Sequence, residues 1–202
     1  MFLKSPPSLI LASTSVYRRQ LLARTRVSFE CLASGFDETR RPGEPALAWV
    51  ERLAWEKAHA VAVQIPEAWV IGSDQIAMLG ANTAEERILG KPETTAACAQ
   101  QLQDCSAREV LFVTAVAVLR HCDGALYQFV DTTRVRFRAL DAASVERYVS
   151  SESPLDCAGG FKSEGLGIVL CESIESTDPT GLVGLPLIRL SSILRGVGFQ
   201  LP

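Results

Sequence analysis

The sequence lacks the short motifs that mark the common phosphate-binding, metalloprotease and serine-hydrolase sites. It has no G-x-x-x-x-G-K-[ST] phosphate loop, no G-x-G-x-x-G turn, no H-E-x-x-H pair and no G-x-S-x-G turn. Only two histidines occur, and His59 and His121 stand alone in the chain. We expect His59 on a helix surface and His121 in a turn, so a histidine nucleophile or a serine triad is poorly supported.

Long apolar runs and paired cysteines are also missing. No apolar stretch is long enough to cross a bilayer, and none follows the first residues as a signal peptide would require. The six cysteines form no C-x-x-C pair and no zinc-ligand spacing. Several of them lie in apolar segments, so we expect reduced, structural thiols in a cytoplasmic protein without a membrane partner.

Positive charge is not in excess. The 202 residues include 20 Lys and Arg against 23 Asp and Glu, which gives a formal net charge of −3. Proteins that bind a phosphate backbone usually carry a concentrated basic surface, so we expect no nucleic-acid partner. A small anionic ligand needs only a few well-placed cations. No linker or repeat divides the chain, and residues 1–202 are predicted to form a single domain.

Hydrophobic periodicity predicts a mixture of strands and helices. The predicted strands are Leu9–Ala12, Val27–Leu32 and Trp69–Ser73. The predicted helices are Tyr17–Arg24, Pro45–Val63, Thr94–Leu102, Asp141–Val149 and Leu187–Leu194. Asp123-Gly124 between two apolar runs, Val110–Leu119 and Leu126–Phe137, predicts a hairpin. Residues 79–92 are predicted to form a polar loop, and Cys157–Leu170 to begin glycine-rich and end as a strand. The pattern indicates an α/β fold with a mixed sheet.

The first candidate site is the strand-to-helix turn at residues 13–19. It carries hydroxyls, including that of Ser13, and two guanidiniums, Arg18 and Arg19. A helix N-terminus favours anions, and Arg can bind phosphate through two parallel hydrogen bonds. The alternative is an ordinary N-cap with two solvated arginines.

Acidic residues follow two of the predicted strands. Asp37-Glu38 precedes a loop, and Asp74 comes directly after Gly72-Ser73. Ligands of open α/β sheets gather where strands end, and carboxylates there suit a hard cation such as Mg²⁺. The sequence therefore predicts a metal site that includes Glu38 and Asp74, although each acid could instead be a loop acid or a helix cap.

Two lysines and a glycine-rich segment complete the candidates. Lys57 lies on the long helix, and Lys91 is fixed between Gly90 and Pro92. In residues 156–165, small residues permit close approach to a ligand, and Phe161 and Glu164 could contact a base. The alternatives are a surface lysine for Lys57 and a structural turn for the segment.

Taken together and in this order, these clusters resemble the Maf family of nucleotide pyrophosphatases. The matching pieces span nearly the whole chain: Leu11–Ser15 with Arg18 and Leu21-Leu22, Asp37-Glu38, Leu53-Ala54 with Lys57-Ala58, Gly72–Gln75, Gly90–Pro92, Ala158-Gly159 and Gly184–Pro186. Cys157–Gly165 together with Gln75 looks like the branch assigned to 7-methyl-GTP. The chain departs from the family at Val16, where Pro is usual, and in the longer stretch between Asp74 and Lys91.

The resemblance implies an α/β protein with a mixed twisted sheet, flanking helices and a cleft between two lobes, similar to inosine triphosphatases. It implies a cytoplasmic enzyme, often a homodimer, that uses Mg²⁺ or Mn²⁺ to hydrolyse 7-methyl-GTP to 7-methyl-GMP and pyrophosphate. By position, Asp74 matches the catalytic acid. The specificity positions are Tyr17, Gln75 and Glu164, and the polar set around the phosphates is Ser13, Arg18, Glu38, Lys57 and Lys91.

Two alternatives stay open from the sequence. The enzyme could act on other nucleotides, such as dTTP, UTP or inosine triphosphate, on a related architecture. A protein of a different class, a binding-type regulator of cell division and septum formation, is the other reading, and both roles could coexist. The acids and lysines favour catalysis, because a pure binder would not need a metal constellation.

Overall fold

The structure is a computed structural model that describes residues 7–202. The expectation that no signal peptide is present concerns residues 1–6, which lie outside this part. By contacts the chain divides into two compact units. The first unit contains the described residues up to Asp74 together with Thr114–Asp131 and Gly184–Pro202. The second unit contains Gln75–Val113 and Thr132–Val183.

The described residues form five α-helices and seven strands, with three short 3-10 helices between them. The helices are α1 Val16–Ala23, α2 Ala46–Ala62, α3 Thr95–Cys105, α4 Ala142–Glu152 and α5 Leu187–Gly196. The strands are β1 Leu9–Leu11, β2 Glu30–Cys31, β3 Trp69–Leu79, β4 Arg87–Leu89, β5 Glu109–Arg120, β6 Ala125–Phe137 and β7 Cys171–Ser176. The 3-10 helices are Ala158–Gly160, Leu166–Leu170 and Gly181–Val183.

The seven strands join one mixed sheet in the order β2-β1-β3-β5-β6-β7, with β4 paired to β3. Strand β1 runs parallel to both β2 and β3, with Leu9 opposite Trp69 and Leu11 opposite Ile71. The pairs β3–β4 and β6–β7 are antiparallel. The prediction of a mixed α/β sheet with flanking helices is therefore confirmed.

In the first unit, β1 and the beginning of β3 are buried strands. The residues of β1 are at most 2% exposed, and Val70 and Ile71 are fully buried. Helix α2 turns its apolar stripe inward through Val50, Leu53, Ala54, Ala58 and Val61, at the helical spacing that the sequence shows. The predicted bounds of this helix, Pro45–Val63, exceed the observed ones by one residue at each end.

The second unit has its own apolar core. Helices α3 and α4 contribute side chains, and so do β4, β7 and those parts of β3, β5 and β6 that belong to this unit. Its largest members are Phe112, Phe137, Tyr148 and Phe161. Asp141, where the predicted helix begins, caps α4, because Asp141 Oδ1 accepts a hydrogen bond of 2.6 Å from the Ser144 amide. Helix α4 is therefore defined both by the cap at its N-terminus and by the apolar side chains that it buries in the core.

The predicted hairpin is also confirmed. Strands β5 and β6 are connected by residues 121–124, and Gly124 has a φ of +68°, which a residue without Cβ adopts readily. His121 lies in this turn, as expected, while His59 is half-buried on α2 and its ring stacks on Trp55 at a centroid distance of 4.6 Å.

Several predicted bounds of strands and loops were wrong. Strand β2 contains only Glu30–Cys31 instead of the predicted Val27–Leu32, because its partner β1 is itself only three residues long. Strand β3 does not stop before Asp74 but continues to Leu79, because a neighbouring lysine compensates the charge and the following residues are apolar. The polar loop at 79–92 contains β4, which pairs with β3. Residues 157–170 form two 3-10 helices instead of a strand, since Gly159 and Gly160 take positive φ, and β7 begins only at Cys171.

All six cysteines are free thiols, which agrees with the expected absence of disulfides. Cys98, Cys105 and Cys171 are buried. Within residues 7–202, no helix is both long enough and apolar enough to span a membrane.

Gly72 brings β3 unusually close to α2. A Cβ built on Gly72 would lie 2.1 Å from the carbonyl oxygen of Ala54 and 2.7 Å from the amide of Ala58. Both neighbours are backbone atoms, so they cannot move aside as a flexible side chain would. The next turn of α2 therefore stands directly over the strand, and Lys57 belongs to that turn.

We expect Gly72→Ala to lower the free energy of unfolding by about 3 kcal/mol or more, because overpacking here pushes a helix backbone away from a strand. Urea denaturation measures the change. Gly196→Ala is the matched control, since nothing lies within 4 Å of its Cβ position at the end of α5. Equal stabilities of the two variants would contradict the close approach.

Candidate active site

A buried lysine joins two carboxylates in the first unit. Lys57 Nζ lies 2.6 Å from Asp74 Oδ1 and 2.8 Å from Glu38 Oε1. Lys57 and Asp74 are only 6% and 7% exposed, whereas the Glu38 side chain is 58% exposed. Lys57 is therefore not a surface lysine. A buried charge requires a partner of opposite sign, and each member of the Lys57–Asp74 pair supplies the other's.

The three charged residues come from three different parts of the fold. Asp74 lies within β3, Lys57 on α2, and Glu38 in the loop between β2 and α2. Asp74 thus sits inside a strand and not beyond its end, which corrects the predicted placement. Strand β3 fixes the Asp74 backbone, and the close approach at Gly72 holds Lys57 over it.

The loop that carries Glu38 is tied to α2 by backbone contacts. Trp49 Nε1 donates to the carbonyl of Glu38 at 3.1 Å, and Arg52 Nη2 donates to the carbonyl of Thr39 at 3.2 Å. An exposed carboxylate on an untethered loop would sample many positions. These two bonds hold Glu38 near Lys57 through its main chain, so its side chain remains available for contacts.

Arg52 is the centre of this tether. Its Nε lies 2.6 Å from Glu44 Oε1, and its Nη1 lies 2.6 Å from Glu56 Oε2. The hydrogen bond from Arg52 lowers the pKa of Glu44 to about 2, and the bond to Glu44 raises the pKa of Arg52. Glu44 also accepts from the Arg41 amide at 3.1 Å. Ion pairs from Arg41 and Glu44 therefore fasten the last part of the loop to α2.

The turn before α1 presents Ser13 and Arg18. The Ser15 hydroxyl caps the helix by accepting from the Arg18 amide at 3.3 Å, and the Ser13 hydroxyl accepts from the Ser15 amide at 3.1 Å. The cap forms although Val16 replaces the usual proline. Arg18 is half-buried and Arg19 exposed, so only one of the two predicted guanidiniums turns inward.

Arg18 shares the neighbourhood of the acids. Burial lowers the pKa of the Arg18 guanidinium, and the negative charges of Asp74 and Glu38 act against that shift. Arginine stays protonated at any physiological pH. The first unit therefore brings two cations and two carboxylates together. Ser13 lies in the turn just before α1, the helix that carries Arg18.

Three of the four remaining candidates, Gln75, Lys91 and Glu164, lie in the second unit. Gln75 Nε2 donates to the carbonyls of Gly181 and Leu182 at 3.0 and 3.1 Å, which fixes the orientation of its amide. Lys91 and Glu164 are exposed, and the hydroxyl of Ser163 donates to Glu164 Oε2 at 3.4 Å. Gln75 is thus held within its own unit, whereas Lys91 and Glu164 are exposed on it. Their roles, and that of half-buried Tyr17 on α1, stay predictions.

Phe161 does not serve as a base platform. It is 5% exposed, and its ring centroid lies 5.7 Å from that of Phe112 and 5.2 Å from that of Phe137. The prediction that it contacts a base is therefore wrong, because an aromatic ring buried on all sides belongs to the core of the second unit.

The two carboxylates fit a divalent cation that arrives with phosphate. Lys57 Nζ contacts Oδ1 of Asp74 and Oε1 of Glu38, and each carboxylate has a second oxygen. Among residues 7–202 no group of three or more His, Cys, Asp or Glu side chains could hold a metal alone. Mg²⁺ is commonly bound by one or two carboxylates, substrate phosphates and water, which matches this donor set.

The sequence interpretation missed the groups that orient the charged residues. The carbonyl of Gly184 accepts from both Ser73 and Arg18, and Arg52 holds the Glu38 loop. Gly184–Pro186 was noted only as a matching piece without a role. No local pattern could have revealed these contacts, because the partners of Gly184 are 111 and 166 residues away along the chain.

Comparison with known proteins gives a consistent match. The family model described as Maf-like protein matches residues 8–197. The chain is 50% identical over 196 residues to a 7-methyl-GTP pyrophosphatase of Xanthomonas campestris pv. campestris, covering 97% of this chain and 99% of that protein. It is 48% identical to a 7-methyl-GTP pyrophosphatase of Pseudomonas fluorescens, covering 96% and 98%. Among solved structures, the Staphylococcus aureus Ham1 protein aligns with 65% of this chain and 72% of its own at 16% identity and a TM-score of 0.45.

The Glu44–Arg52 pair makes an acid-stability prediction. The pKa of Glu44 is lowered by folding, so its contribution is complete above the ordinary pKa near 4.5 and is lost as pH falls toward about 2. Between these pH values, the free energy of unfolding should rise with pH less steeply in Glu44→Gln than in the wild type. The difference in slope should correspond to at most about one proton bound on unfolding. Urea titrations at several pH values measure it. Glu146→Gln, at an exposed position of α4, is the control. A slope in Glu44→Gln equal to that of the wild type would show that the Glu44–Arg52 ion pair does not stabilise the fold.

Proposed function

Because the chain belongs to the Maf family, we propose that it is a metal-dependent nucleoside triphosphate pyrophosphatase that hydrolyses 7-methyl-GTP to 7-methyl-GMP and pyrophosphate. Its role would be to clear modified nucleotides from the cell. The observation that carries the proposal is the Lys57-bridged pair of carboxylates, Asp74 and Glu38, beside Arg18. Relatives named 7-methyl-GTP pyrophosphatase at about half identity over nearly the whole chain support the choice of substrate.

The cations of the site are suited to a triphosphate. In the proposed reaction, a water oxygen bonds to the α phosphorus, the bond from that phosphorus to the bridging oxygen breaks, and pyrophosphate leaves. Negative charge then grows on the leaving group. Arg18 and Lys57 would stabilise it, and Lys91 is proposed to do the same from the family pattern. Buried donors act more strongly than solvated ones, and Lys57 is buried.

Asp74, whose Oδ1 accepts from Lys57, is proposed to orient the attacking water or to receive its proton. An ordinary aspartate has a pKa of about 3.9 and is a weak base. Asp74 and Glu38 are the residues that would hold Mg²⁺ or Mn²⁺. When bound, the ion would supply Lewis-acid activation of the water and neutralise phosphate charge.

The base would be read by side chains that the family pattern marks as specificity positions. 7-Methylguanine is a cationic aromatic system, which a tyrosine ring such as that of Tyr17 can stack upon. A carboxylate such as Glu164 can accept from the N1–H and the amino group of guanine. Gln75 has an amide already oriented by two carbonyls, which suits a group that must discriminate between bases.

We also propose that the protein acts in the cytoplasm as a homodimer, on a free nucleotide and without a nucleic-acid or membrane partner. Six free thiols support a reducing compartment, because disulfides are rare there. A net charge of −3 supports a small ligand over a nucleic acid. The dimer rests on family resemblance.

A nucleotide panel tests the function. With Mg²⁺ or Mn²⁺, pyrophosphate release from 7-methyl-GTP should exceed that from GTP, UTP, dTTP and inosine triphosphate. Asp74→Asn should lower kcat by at least about a hundredfold while circular dichroism shows a folded protein. Asp123→Asn, an exposed acid of the β5–β6 turn, is the control. If no nucleotide is hydrolysed, a binding role in cell division becomes the better explanation.

Glu164 makes a separate prediction about specificity. Glu164→Gln replaces an acceptor oxygen by a donor, so the ratio of kcat/KM for 7-methyl-GTP to that for UTP should fall about tenfold or more. The ratio is measured by competition in one reaction. Glu172→Gln, on exposed β7, should leave it unchanged. An unaltered ratio in Glu164→Gln would remove Glu164 as the reader of the base.

A further inference from the structure

The carbonyl oxygen of Gly184 holds two groups of the site at once. It accepts from Arg18 Nε at 2.9 Å and from the Ser73 hydroxyl at 2.9 Å. Ser73 is fully buried and directly precedes Asp74. A carbonyl has two lone pairs, so these donors use both of them. One backbone atom therefore links the Arg18 side chain to the strand position next to Asp74.

The bond to Gly184 decides which part of the guanidinium faces a ligand. The donor in this bond is Nε of Arg18, and not one of the two terminal nitrogens, Nη1 and Nη2, which together form the fork of the guanidinium. A guanidinium held by Nε cannot rotate freely about its long side chain, so its end-on pair of nitrogens is oriented in advance. Arg binds phosphate best through two parallel bonds from such a pair, and pre-orientation reduces the entropy lost on binding.

Only glycine suits this position. Gly184 has a φ of +108°, a conformation that side-chain-bearing residues rarely adopt. A Cβ built there would also lie 3.3 Å from Arg18 Nε and 3.6 Å from Arg18 Nη2. Any substitution would therefore strain the main chain and press against the guanidinium that the same residue orients.

We propose that Gly184 is a positioning residue for phosphate binding, which acts through Arg18. The proposal rests on the proposed function, since it assigns Arg18 to the phosphates of the substrate. Gly184 itself does not touch the reacting atoms. Its carbonyl orients the two terminal nitrogens of the Arg18 guanidinium. The hydrogen bond from Ser73 fixes that carbonyl relative to Asp74.

The chain offers a matched control for Gly184→Ala. Gly198 has a φ of +102°, and nothing lies within 4 Å of its Cβ position. Gly198→Ala therefore imposes a similar main-chain strain without contacting Arg18. Gly184→Ala should lower kcat/KM for 7-methyl-GTP, and the affinity for pyrophosphate measured by calorimetry, about tenfold or more. Gly198→Ala should change both less than twofold, and equal losses in the two variants would overturn the proposal.

The double variant Gly184→Ala with Arg18→Ala distinguishes a positioning role of Gly184 from a general loss of stability. If Gly184 acts through Arg18, Gly184→Ala should cause no further loss of pyrophosphate affinity in the Arg18→Ala background, while still lowering the melting temperature there. A loss of the same factor in both backgrounds would show that Gly184 acts independently of Arg18, contrary to the proposal.

Arg18→Lys covers the case in which Gly184→Ala does not fold. Lysine keeps the charge but lacks the Nε–H and the fork, so pyrophosphate affinity should remain near that of Arg18→Ala. Recovery to the wild-type value would overturn the proposal. Because pyrophosphate binding is measured without turnover, a wild-type protein that binds pyrophosphate but hydrolyses no nucleotide would refute the proposed function alone.

Discussion

The buried ion pair between Lys57 and Asp74 is the interaction on which the arrangement of the site depends. Removing two charges from water is unfavourable, and a single one left without its partner would destabilise the fold by about 3–5 kcal/mol. The pair therefore fixes α2 against β3 in one register, with Nζ and Oδ1 at 2.6 Å. Gly72 makes this register sterically accessible, since only a residue without Cβ allows the helix backbone so near.

Around this pair the other charges are held by groups that have no part in the chemistry. Arg52 and Trp49 fix the loop of Glu38 through its carbonyls, and Gly184 fixes Arg18 through Nε. In each case a main-chain carbonyl is the acceptor. Backbone acceptors do not change rotamer, so they define positions more sharply than pairs of flexible side chains would.

Local rules predicted the helices and the hairpin well, because their signals lie close together in sequence. The helix that begins beside Asp141 and the hairpin turn at Gly124 were both predicted correctly on this basis. The extent of β3 was wrong because a charged residue was taken as the end of a strand, and the lysine that makes Asp74 tolerable comes from another element. Phe161 was misassigned for a similar reason, since sequence does not show whether an aromatic ring is covered.

The positions of the two acids after strands suggested a common site for Glu38 and Asp74, whereas the addition of Arg18 and Lys57 to that site came only from the family pattern. Residue type alone left each of them with an ordinary alternative, such as a solvated lysine or a loop acid. The structure decides between these alternatives for Lys57 by its burial and for Asp74 by its place within a strand. The groups that orient them, Gly184 and Arg52, depend on contacts between distant segments and could not be inferred from composition or periodicity.

The balance of charge in the site constrains what can bind there. Two cations and two carboxylates nearly cancel, so neither a bare triphosphate nor a bare divalent cation meets a strong field of opposite sign. On the proposed function, a triphosphate carrying Mg²⁺ would be different, because it would offer positive charge to the carboxylates and negative charge to Arg18 and Lys57. On the proposed function, the near-neutral cluster therefore selects the metal–nucleotide complex over either component. The same cancellation lets Lys57 and Asp74 remain buried when no ligand is bound, since each already neutralises the other.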